Sequence, residues 1–396
     1  MLLPGPEAQQ LAIYVGWLLN GLRGGLVAGT LFVLPGAVAL LALSAVYVAF
    51  GDTTVVAGIF AGLAPAVVAV VAQAVWRVGN RALTSRVLLG LAVAAFIALA
   101  AFAVPFPVVI GVSGAIGWAL HRWRPQPAGK SGGHAAAQDG PPPLIADDAL
   151  HHDQPSTRRA LKILVVGLVV WFLPVAAVAS LTGVHSIYTQ QGLFFSGTAV
   201  ITFGGAYAVL AYVAQRAVEH YAWLSAGDMV RGLALAESTP GPLIMVVQFV
   251  AFLGAYHHPG PLDPWVAGVV ASLLTTWVTF VPCFLFILLG APYVERLRGN
   301  ESLSAALTGI TAAVVGVIAQ LGLYFAVHTL FERTHLITGG PLHLQLPDLT
   351  SVRLVPVVIA VIAAALVFRW KWPVLRVLGV SALLGLIAGL AGLPGA

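Results

Sequence analysis

Two glutamates lie beside Pro-Gly-Pro tripeptides within apolar stretches of the sequence. In "LLPGPEAQQL" Glu7 directly follows Pro4-Gly5-Pro6, and in "AESTPGPLIM" Glu237 shortly precedes Pro240-Gly241-Pro242. A carboxyl group held in apolar surroundings favours its neutral form, so it can take up and release a proton near physiological pH. We interpret both acids as candidate proton carriers. The alternative is a neutral acid that hydrogen-bonds to a broken backbone.

The tripeptides themselves predict interruptions of helices. Proline lacks an amide hydrogen and clashes with the carbonyl one turn back, and glycine adds backbone freedom. One helix should end at each tripeptide and another should begin there, with Ser238 or Thr239 as the N-cap in the second copy. A helix N-terminus carries roughly half a positive charge and free N–H donors, which suits an oxyanion. The alternative is a proline kink that a neighbouring helix covers.

A third candidate region is Phe195–Tyr221, in which Gly204-Gly205 would let helices approach closely or let the backbone unwind. Packing of small residues between helices is the alternative interpretation. Polar groups in this stretch come from Tyr207, Tyr212 and Gln215. These residues are followed by a predicted cytoplasmic end of the span, where an interfacial ion pair is expected among Arg216, Glu219 and His220.

These regions belong to a chain that is too apolar for a soluble protein. Of its 396 residues 59% are hydrophobic and 8% are charged, and the mean hydropathy is +0.95. Several apolar runs approach or exceed the ~20 residues that a helix needs to cross a bilayer, and they are continuous, which argues against a β-barrel. We predict an all-α polytopic integral membrane protein. The predicted spans are Leu26–Phe50, Thr54–Trp76, Val87–Val104, Ile163–Leu181, Trp265–Gly290, Ser304–Val327 and Leu354–Phe368.

The sequence carries no motif of an enzyme. It lacks a Walker-type loop, a His-Glu-x-x-His zinc motif and a plausible triad on one element, so we predict no catalysis, no cofactor and no metal site. The single cysteine, Cys283, lies in an apolar run and is expected to be a small buried side chain. Four histidines are expected in outer loops: His185, His328, His335 and His343.

The sequence also predicts two homologous halves separated by a linker. Residues 30–43 around Pro35 align with residues 276–289 around Pro282, and residues 62–73 align with residues 309–320 at the same offset. The stretch between the halves is rich in Pro, Gly, Asp and His, which is typical of a flexible linker. We divide the chain into a first repeat at 1–120, a linker at 121–162 and a second repeat at 163–396.

The distribution of Lys and Arg predicts how the halves are oriented. Basic residues crowd the linker, whereas the loops at 51–52, 182–191 and 257–264 contain none, so the linker should be cytoplasmic and these loops outside. The aligned spans then run in opposite directions. An inverted repeat with discontinuous helices is typical of secondary transporters, and the broken helices would meet around a shared cavity. Arg23 or Arg77 would add positive potential at its cytoplasmic mouth.

Three stretches of the sequence resemble one known family. Leu2–Gly36, Thr202–Leu224 and Gly232–Tyr256 are similar to the chromate ion transporter family in its long two-domain form. The resemblance implies a multi-pass protein of the bacterial inner membrane that exports chromate and confers chromate resistance. Together with Tyr207, the family motif positions give the predicted substrate-binding residues: Pro4, Gly5, Pro6, Glu7, Gln10, Gly204, Gly205, Glu237, Thr239, Pro240, Gly241 and Pro242.

Two alternatives to chromate export stay open. Sulfate is a tetrahedral dianion of similar size, so the first is a transporter or channel for sulfate or another anion. The long form of the family usually carries a further segment, with its own Phe-Gly-Gly motif, before the first Pro-Gly-Pro. We therefore expect either an N-terminally incomplete first repeat or a start assigned too late, and the second alternative is a non-transporting remnant or scaffold. The expected partners are chromate, sulfate, a proton as counter-ion, the lipid bilayer and a second copy in a homodimer, without nucleic acid.

Overall fold

The chain folds into a bundle of helices with one small β-hairpin. The computed structural model describes residues 5–123, 156–203, 205–293, 300–340 and 342–393, and in these ranges five helices are long and apolar enough to cross a membrane, which confirms the predicted all-α membrane class. The helices are α1 Glu7–Phe50, α2 Thr54–Ala82, α3 Arg86–Ala100, α4 Phe106–Trp123, α5 Thr157–Thr182, α6 Ile187–Ile201, α7 Ala206–Gln215, α8 Ala226–Ser238, α9 Val246–His257, α10 Pro264–Gly290, α11 Glu301–Leu330, α12 Leu354–Ala364 and α13 Val374–Leu390. The strands are β1 Thr334–Gly339 and β2 Leu342–Pro347, and π turns extend α7 at Arg216–His220 and α12 at Ala365–Arg369.

Short polar side chains define where several helices begin. The hydroxyls of Thr53 and Ser85 accept the amides of Val56 and Leu88 at the starts of α2 and α3. Asp263 caps α10 directly before a proline at its first position. Each cap accepts an amide hydrogen that has no partner within its helix. The local sequence therefore limits the apolar runs to separate helices.

The helices alternate between two ends of the bundle. One end, which we call the linker end, contains the ends of α4 and α5, at Trp123 and Thr157. Helix thus continues into both edges of the predicted linker, while residues 124–155, with His134, His151 and His152, lie outside the described residues. The opposite end, which we call the far end, contains the β-hairpin and the loops at 51–53, 101–105, 183–186, 221–225 and 258–263.

Helix α1 consists of two antiparallel legs. Asn20 and Gly21 leave the helical conformation, and Gly21 has φ +55°. The legs at 7–19 and 22–50 pack so closely that a Cβ on Gly16 would lie 2.4 Å from the carbonyl oxygen of Gly24. Only a glycine pair permits this approach of two backbones. Gly5 and Pro6 of the first Pro-Gly-Pro therefore lie inside the bundle, at the level of the middle of the second leg.

Two further hairpins, each made of two helices, begin at the far end, extend into the bundle and return to the far end. Helices α6 and α7 fold back on each other, since Phe194 contacts both Tyr212 and Tyr221. Helices α8 and α9 do the same, since a Cβ on Gly232 would meet the ring of Phe249 at 2.3 Å. The second Pro-Gly-Pro forms the turn of the latter hairpin. The sequence predicted where both interruptions lie: α1 begins directly after the first tripeptide, and the chain reverses direction at the second tripeptide instead of crossing the bundle.

Helices of the first half pack against helices of the second half in two equivalent pairs. A Cβ on Gly62 of α2 would lie 1.8 Å from the carbonyl oxygen of Ser381 in α13, and one on Gly309 of α11 would lie 2.4 Å from that of Ser113 in α4. Gly62 and Gly309 occupy equivalent positions in the aligned stretches of the sequence. The aligned stretch of the first half thus contacts a helix of the second half, and the aligned stretch of the second half contacts a helix of the first half.

The β-hairpin was not predicted, although Leu342, Leu344 and Leu346 alternate with polar residues in its second strand. Strands β1 and β2 pair in an antiparallel register, and the amide of His343 donates to the carbonyl oxygen of Ala101 at 2.8 Å. The expectation of four histidines in outer loops is wrong for His328, which lies within the last turn of α11, because this apolar helix continues to Leu330. His335 and His343 lie on the hairpin strands.

One carboxylate ties the hairpin to the end of α11 in a pH-dependent way. Asp348 accepts the hydroxyl and the amide of Thr350 at 2.6 and 2.9 Å, and lies 3.6 Å from Arg333 and 3.7 Å from His335. The Thr350 hydrogen bonds, followed by these cations, hold the pKa of Asp348 below its usual value. A lowered pKa adds stability above the unfolded value of about 3.9, and this stability is lost as the pH falls through the folded pKa.

We therefore predict that hydrogen exchange in residues 331–352 becomes faster as the pH drops below about 4, after correction for intrinsic rates. Mass spectrometry of the deuterated protein measures this change. Asp348→Asn keeps an oxygen for Thr350 but cannot titrate, so it should remove the pH step. A step of the same size in this variant would contradict the assignment to Asp348.

Candidate functional site

Gly5 and Pro6 of the first Pro-Gly-Pro segment are buried, and Gly5 is bonded to another break in the bundle. The amide of Gly5 donates to the carbonyl oxygen of Thr202 at 2.8 Å, directly after α6 ends. Gly5 has φ +125°, a conformation that L side chains rarely adopt. Pro6 is the N-cap residue of α1 and Glu7 is its first residue, half-buried at the positive end of the helix. Pro4 lies outside the described residues.

The side chain of Gln10 holds this segment against the second half of the chain. It is buried and hydrogen-bonds with the thiol of Cys283 in α10. A Cβ on Gly5 would lie 2.7 Å from the amide nitrogen of Gln10 and 2.9 Å from the sulfur of Cys283. The predicted burial of Cys283 is confirmed, since its side chain is fully inaccessible. Cys283 packs on the first tripeptide, a role that the sequence analysis did not assign to it.

The second Pro-Gly-Pro segment forms the turn between α8 and α9. The expectation that Ser238 or Thr239 caps the following helix is wrong, because their hydroxyls bond back to the carbonyl oxygens of Leu235 and Ala236, at 2.8 and 3.0 Å, and so terminate α8. Gly241 has φ +146°, and Pro242 is the residue before a short 3-10 turn that leads into α9. Free amides at this start therefore belong to residues after Pro242.

The side chain of Glu237 directly contacts a third interruption of the helices, the one between α6 and α7. Gly205, with φ +101°, is the N-cap residue of α7, and Tyr207 in the first turn donates its hydroxyl to a carboxylate oxygen of Glu237. Arg77 of α2 is close enough that its positive charge acts on both Glu237 and Tyr207. The break at 202–205 thus contacts both tripeptide regions, through Gly5 and through Glu237. Gly204 lies outside the described residues.

Each tripeptide also packs on the second helical segment after the other one. Gly241 lies against Gly36 in the second leg of α1, with a Cβ on Gly241 only 3.0 Å from the Cα of Gly36, and Gly5 lies against Cys283 in α10. Gly36 and Cys283 directly follow the aligned Pro35 and Pro282. The alignment of Pro35 with Pro282 pairs these two helices. It was the sequence signal that could have identified Gly36 and Cys283 as equivalent contact residues.

The residues at the end of α7 do not join this site. An ion pair was predicted among Arg216, Glu219 and His220, and it is wrong for Arg216 with Glu219. Glu219 accepts a hydrogen bond from the side-chain amide of Gln345. The guanidinium of Arg216 lies 5.4 Å from the ring centre of Tyr221. The three residues also lie at the far end, beside the β-hairpin, and not at the linker end, which the sequence predicts to be cytoplasmic. Tyr212 and Gln215 lie on the same final turns, near the far end.

Metal binding finds no support within the described ranges. They contain no group of three or more His, Cys, Asp or Glu side chains that could hold an ion. The groups that meet at the breaks are backbone amides, the side-chain amide of Gln10, the Tyr207 hydroxyl bonded to Glu237 and the carboxyl group of Glu7, with Arg77 as the nearby positive charge.

The fold and these interrupted helices define the class: a multi-pass α-helical membrane transport protein. Comparison with known sequences identifies the family, because the profile described as "Chromate transporter" matches residues 1–118 and 189–386. The chain belongs to the chromate transporter family. This confirms the resemblance that the motif residues indicated, including the stretches around both tripeptides.

Individual relatives agree with this assignment. A chromate transport protein of Pseudomonas aeruginosa is 30% identical over 98% of this chain and 79% of its own length, and one of Cupriavidus metallidurans is 28% identical over 84% and 72%. A probable chromate transport protein of Synechococcus elongatus is 24% identical over 93% of this chain and 83% of its own length. No solved structure matches the chain.

Proposed function

We propose that this protein is a secondary active transporter that exports chromate across the bacterial inner membrane and so confers chromate resistance. The observation that carries the proposal is the meeting of three helix breaks inside one bundle, at Gly5, at 202–205 and at Gly241. Helix N-termini at such breaks present free amides and a positive dipole end to an anion. The relatives named as chromate transport proteins indicate which oxyanion it is.

Arg77 provides the positive charge that a dianion requires. It lies on α2 near the linker end, exposed, while its charge still reaches Glu237 and Tyr207. Coulomb attraction between a guanidinium and a dianion is strong where water is partly excluded. Arg77 would therefore draw chromate from the cytoplasmic mouth towards the breaks. This supports one of the two arginines that the sequence suggested for the mouth.

Glu237 would couple the anion to a proton. Its carboxyl group is half-buried, next to the helix start at Gly205 that we assign to the anion. Chromate and the proton would use this region in alternate steps: the carboxyl group would bind a proton from outside and release it to the cytoplasm, and chromate would leave in the opposite step. The hydrogen bond from Tyr207 keeps the group in place.

The exchanged contacts support the inverted repeat. The contact of Gly5 with Cys283 corresponds to the contact of Gly241 with Gly36. Likewise, the contact of Gly62 with Ser381 corresponds to that of Gly309 with Ser113. Two repeats related by a two-fold axis in the membrane plane would produce such pairs. We propose residues 1–120 and 163–396 as the two repeats, with a cytoplasmic linker and with the far end outside.

The function is tested in everted membrane vesicles, where export appears as chromate uptake. Vesicles that contain the full chain should accumulate chromate, and collapse of the pH gradient should abolish the accumulation. Vesicles without the protein give the blank. Equal accumulation in both would overturn the proposal, whereas sulfate uptake that excess chromate fails to inhibit would reassign the substrate.

A hydrated chamber at the tripeptides predicts thiol accessibility at the same level. Ser238 is exposed beside the second tripeptide, whereas Val38, 61% exposed, follows Gly36 on α1 and should face lipid. Maleimides react with thiolates, which need water. A membrane-impermeant maleimide should label Ser238→Cys at least tenfold faster than Val38→Cys. The wild type, with only buried Cys283, is the blank. Equal labelling of both variants would argue against a chamber.

A further inference from the structure

A separate cavity lies at the far end, away from the three breaks. It has a volume of about 450 Å³, within the range of cavities that bind small molecules. One wall is the loop between α3 and α4, with Ala103, Pro105 and Pro107. The other wall is the end of α7 and its π turn. That wall carries all the polar groups of the cavity: Tyr212, Gln215, Arg216, Glu219 and His220.

The π turn is what directs these polar side chains to one place. The amide of Tyr221 donates to the carbonyl oxygen of Arg216 at 2.9 Å, five residues back, in place of the four of an α-helix. The wider turn changes the angular spacing of side chains, so Gln215, Arg216, Glu219 and His220 line one cavity. Such π turns are rare and are frequent at functional sites.

Arg216 has a donor without a partner at this wall. Its Nε atom is buried and makes no hydrogen bond within the described part of the chain. The guanidinium is fixed by its position 5.4 Å from the centre of the Tyr221 ring. A buried donor left unsatisfied is destabilising, and for a charged group more so than for a neutral one. Arg216 as a whole is only partly buried and lines the cavity, so a ligand with acceptor oxygens would contact the other nitrogens of the guanidinium.

The one acidic group of the cavity is held by the β-hairpin. An oxygen of Glu219 accepts the side-chain amide of Gln345 at 3.3 Å, while the amide of His343 donates to Ala101 on the opposite wall. The hairpin therefore connects both walls. The remaining polar groups, the Arg216 guanidinium, the Gln215 amide, the Tyr212 hydroxyl and the His220 ring, are able to donate hydrogen bonds.

We propose that this cavity binds a tetrahedral oxyanion of two negative charges as a second site at the far end of the bundle, with Arg216 as its main ligand. The inference rests on the proposed function in that the transported anion would occupy this site as it leaves. A tetrahedral dianion offers four acceptor oxygens to the cluster of donors, and Arg216 binds it through charge-assisted hydrogen bonds. Glu219 weakens the site, because its charge repels the ligand.

Sulfate, which does not oxidise thiols, is the probe for the test. Radiolabelled sulfate binding to the full-length protein in nanodiscs should weaken by about tenfold or more in Arg216→Gln, because one charged donor is lost. Glu219→Gln should bind more tightly than the wild type by several fold, because a repulsion is removed. Arg231→Gln is the matched control, since its guanidinium already contacts Tyr47 and Asp228 near the same end.

A monodisperse elution profile and retained binding in Arg216→Lys distinguish loss of the site from misfolding. Wild-type affinity in Arg216→Gln, or weaker binding in Glu219→Gln, would overturn the proposal. Absence of sulfate binding to the wild type would overturn it as well. Failure of the proposed function has a different signature: Arg216-dependent binding by a protein that moves no chromate in vesicles.

Discussion

Glu237→Gln is expected to lower proton-driven chromate uptake into everted vesicles about 100-fold, the lower end of what loss of a proton-transferring group costs. The side-chain oxygen of glutamine can still accept the hydroxyl of Tyr207, which now bonds to Glu237. The geometry of the break is therefore kept, while the ability to bind and release a proton is lost. The initial rate of chromate uptake under an imposed pH gradient measures the effect.

Two comparisons make this result specific. Exchange of chromate against chromate needs no net proton movement, so it should persist in Glu237→Gln. Tyr207→Phe removes one hydrogen bond but leaves the carboxyl group, and should reduce the driven rate only by roughly tenfold. Driven uptake at the wild-type rate in Glu237→Gln would exclude this carboxyl group as the proton carrier.

Alanine at Gly62 or Gly309 is expected to destabilise the protein by about 1–3 kcal/mol, the usual effect of overpacking. The added Cβ would lie 1.8 Å from the carbonyl oxygen of Ser381 or 2.4 Å from that of Ser113. Backbone atoms cannot rotate away as the end of a side chain can. Helix α2 must therefore move from α13, or α11 from α4, and adjacent contacts are lost.

The chain carries its own reporter and its own controls for this measurement. Cys283 is buried and becomes reactive towards a thiol-sensitive dye only when the bundle unfolds, so dye fluorescence during heating gives the midpoint. Gly111 in α4 and Gly379 in α13 have open space where a Cβ would lie. Alanine there should leave stability equal or raise it by up to ~1 kcal/mol. Equal midpoints for all four variants would contradict the close helix packing.

The sequence predicted the positions of the breaks better than the path of the chain through them. Proline and glycine determine where a helix begins or stops: α1 begins directly after the first tripeptide, and α8 ends shortly before the second. Whether the chain continues or reverses depends on the backbone at Gly241 and on its contact with Gly36, far away in the sequence. Composition and periodicity contain no information about such partners. The reversal at α8 and α9 was therefore not predictable.

The cap residues show a second limit of the same kind. Ser238 and Thr239 stand between a helix end and a helix start, and a hydroxyl can serve either one. Their bonds to Leu235 and Ala236 reveal which of the two prevails.

The β-hairpin was missed for another reason. Strand β1 lacks a regular alternation of apolar and polar residues. The alternation in β2, where Leu342, Leu344 and Leu346 flank His343 and Gln345, covers only 6 residues and was not recognised as a strand.

The pairing of α2 with α13 has a consequence for biogenesis. Gly62 receives its neighbour only when Ser381, close to the carboxyl end, has left the ribosome. Until then the glycine face of α2 is covered by lipid or by an insertion factor. A stalled or shortened nascent chain would thus leave this face open, where quality-control proteases of the membrane can recognise it.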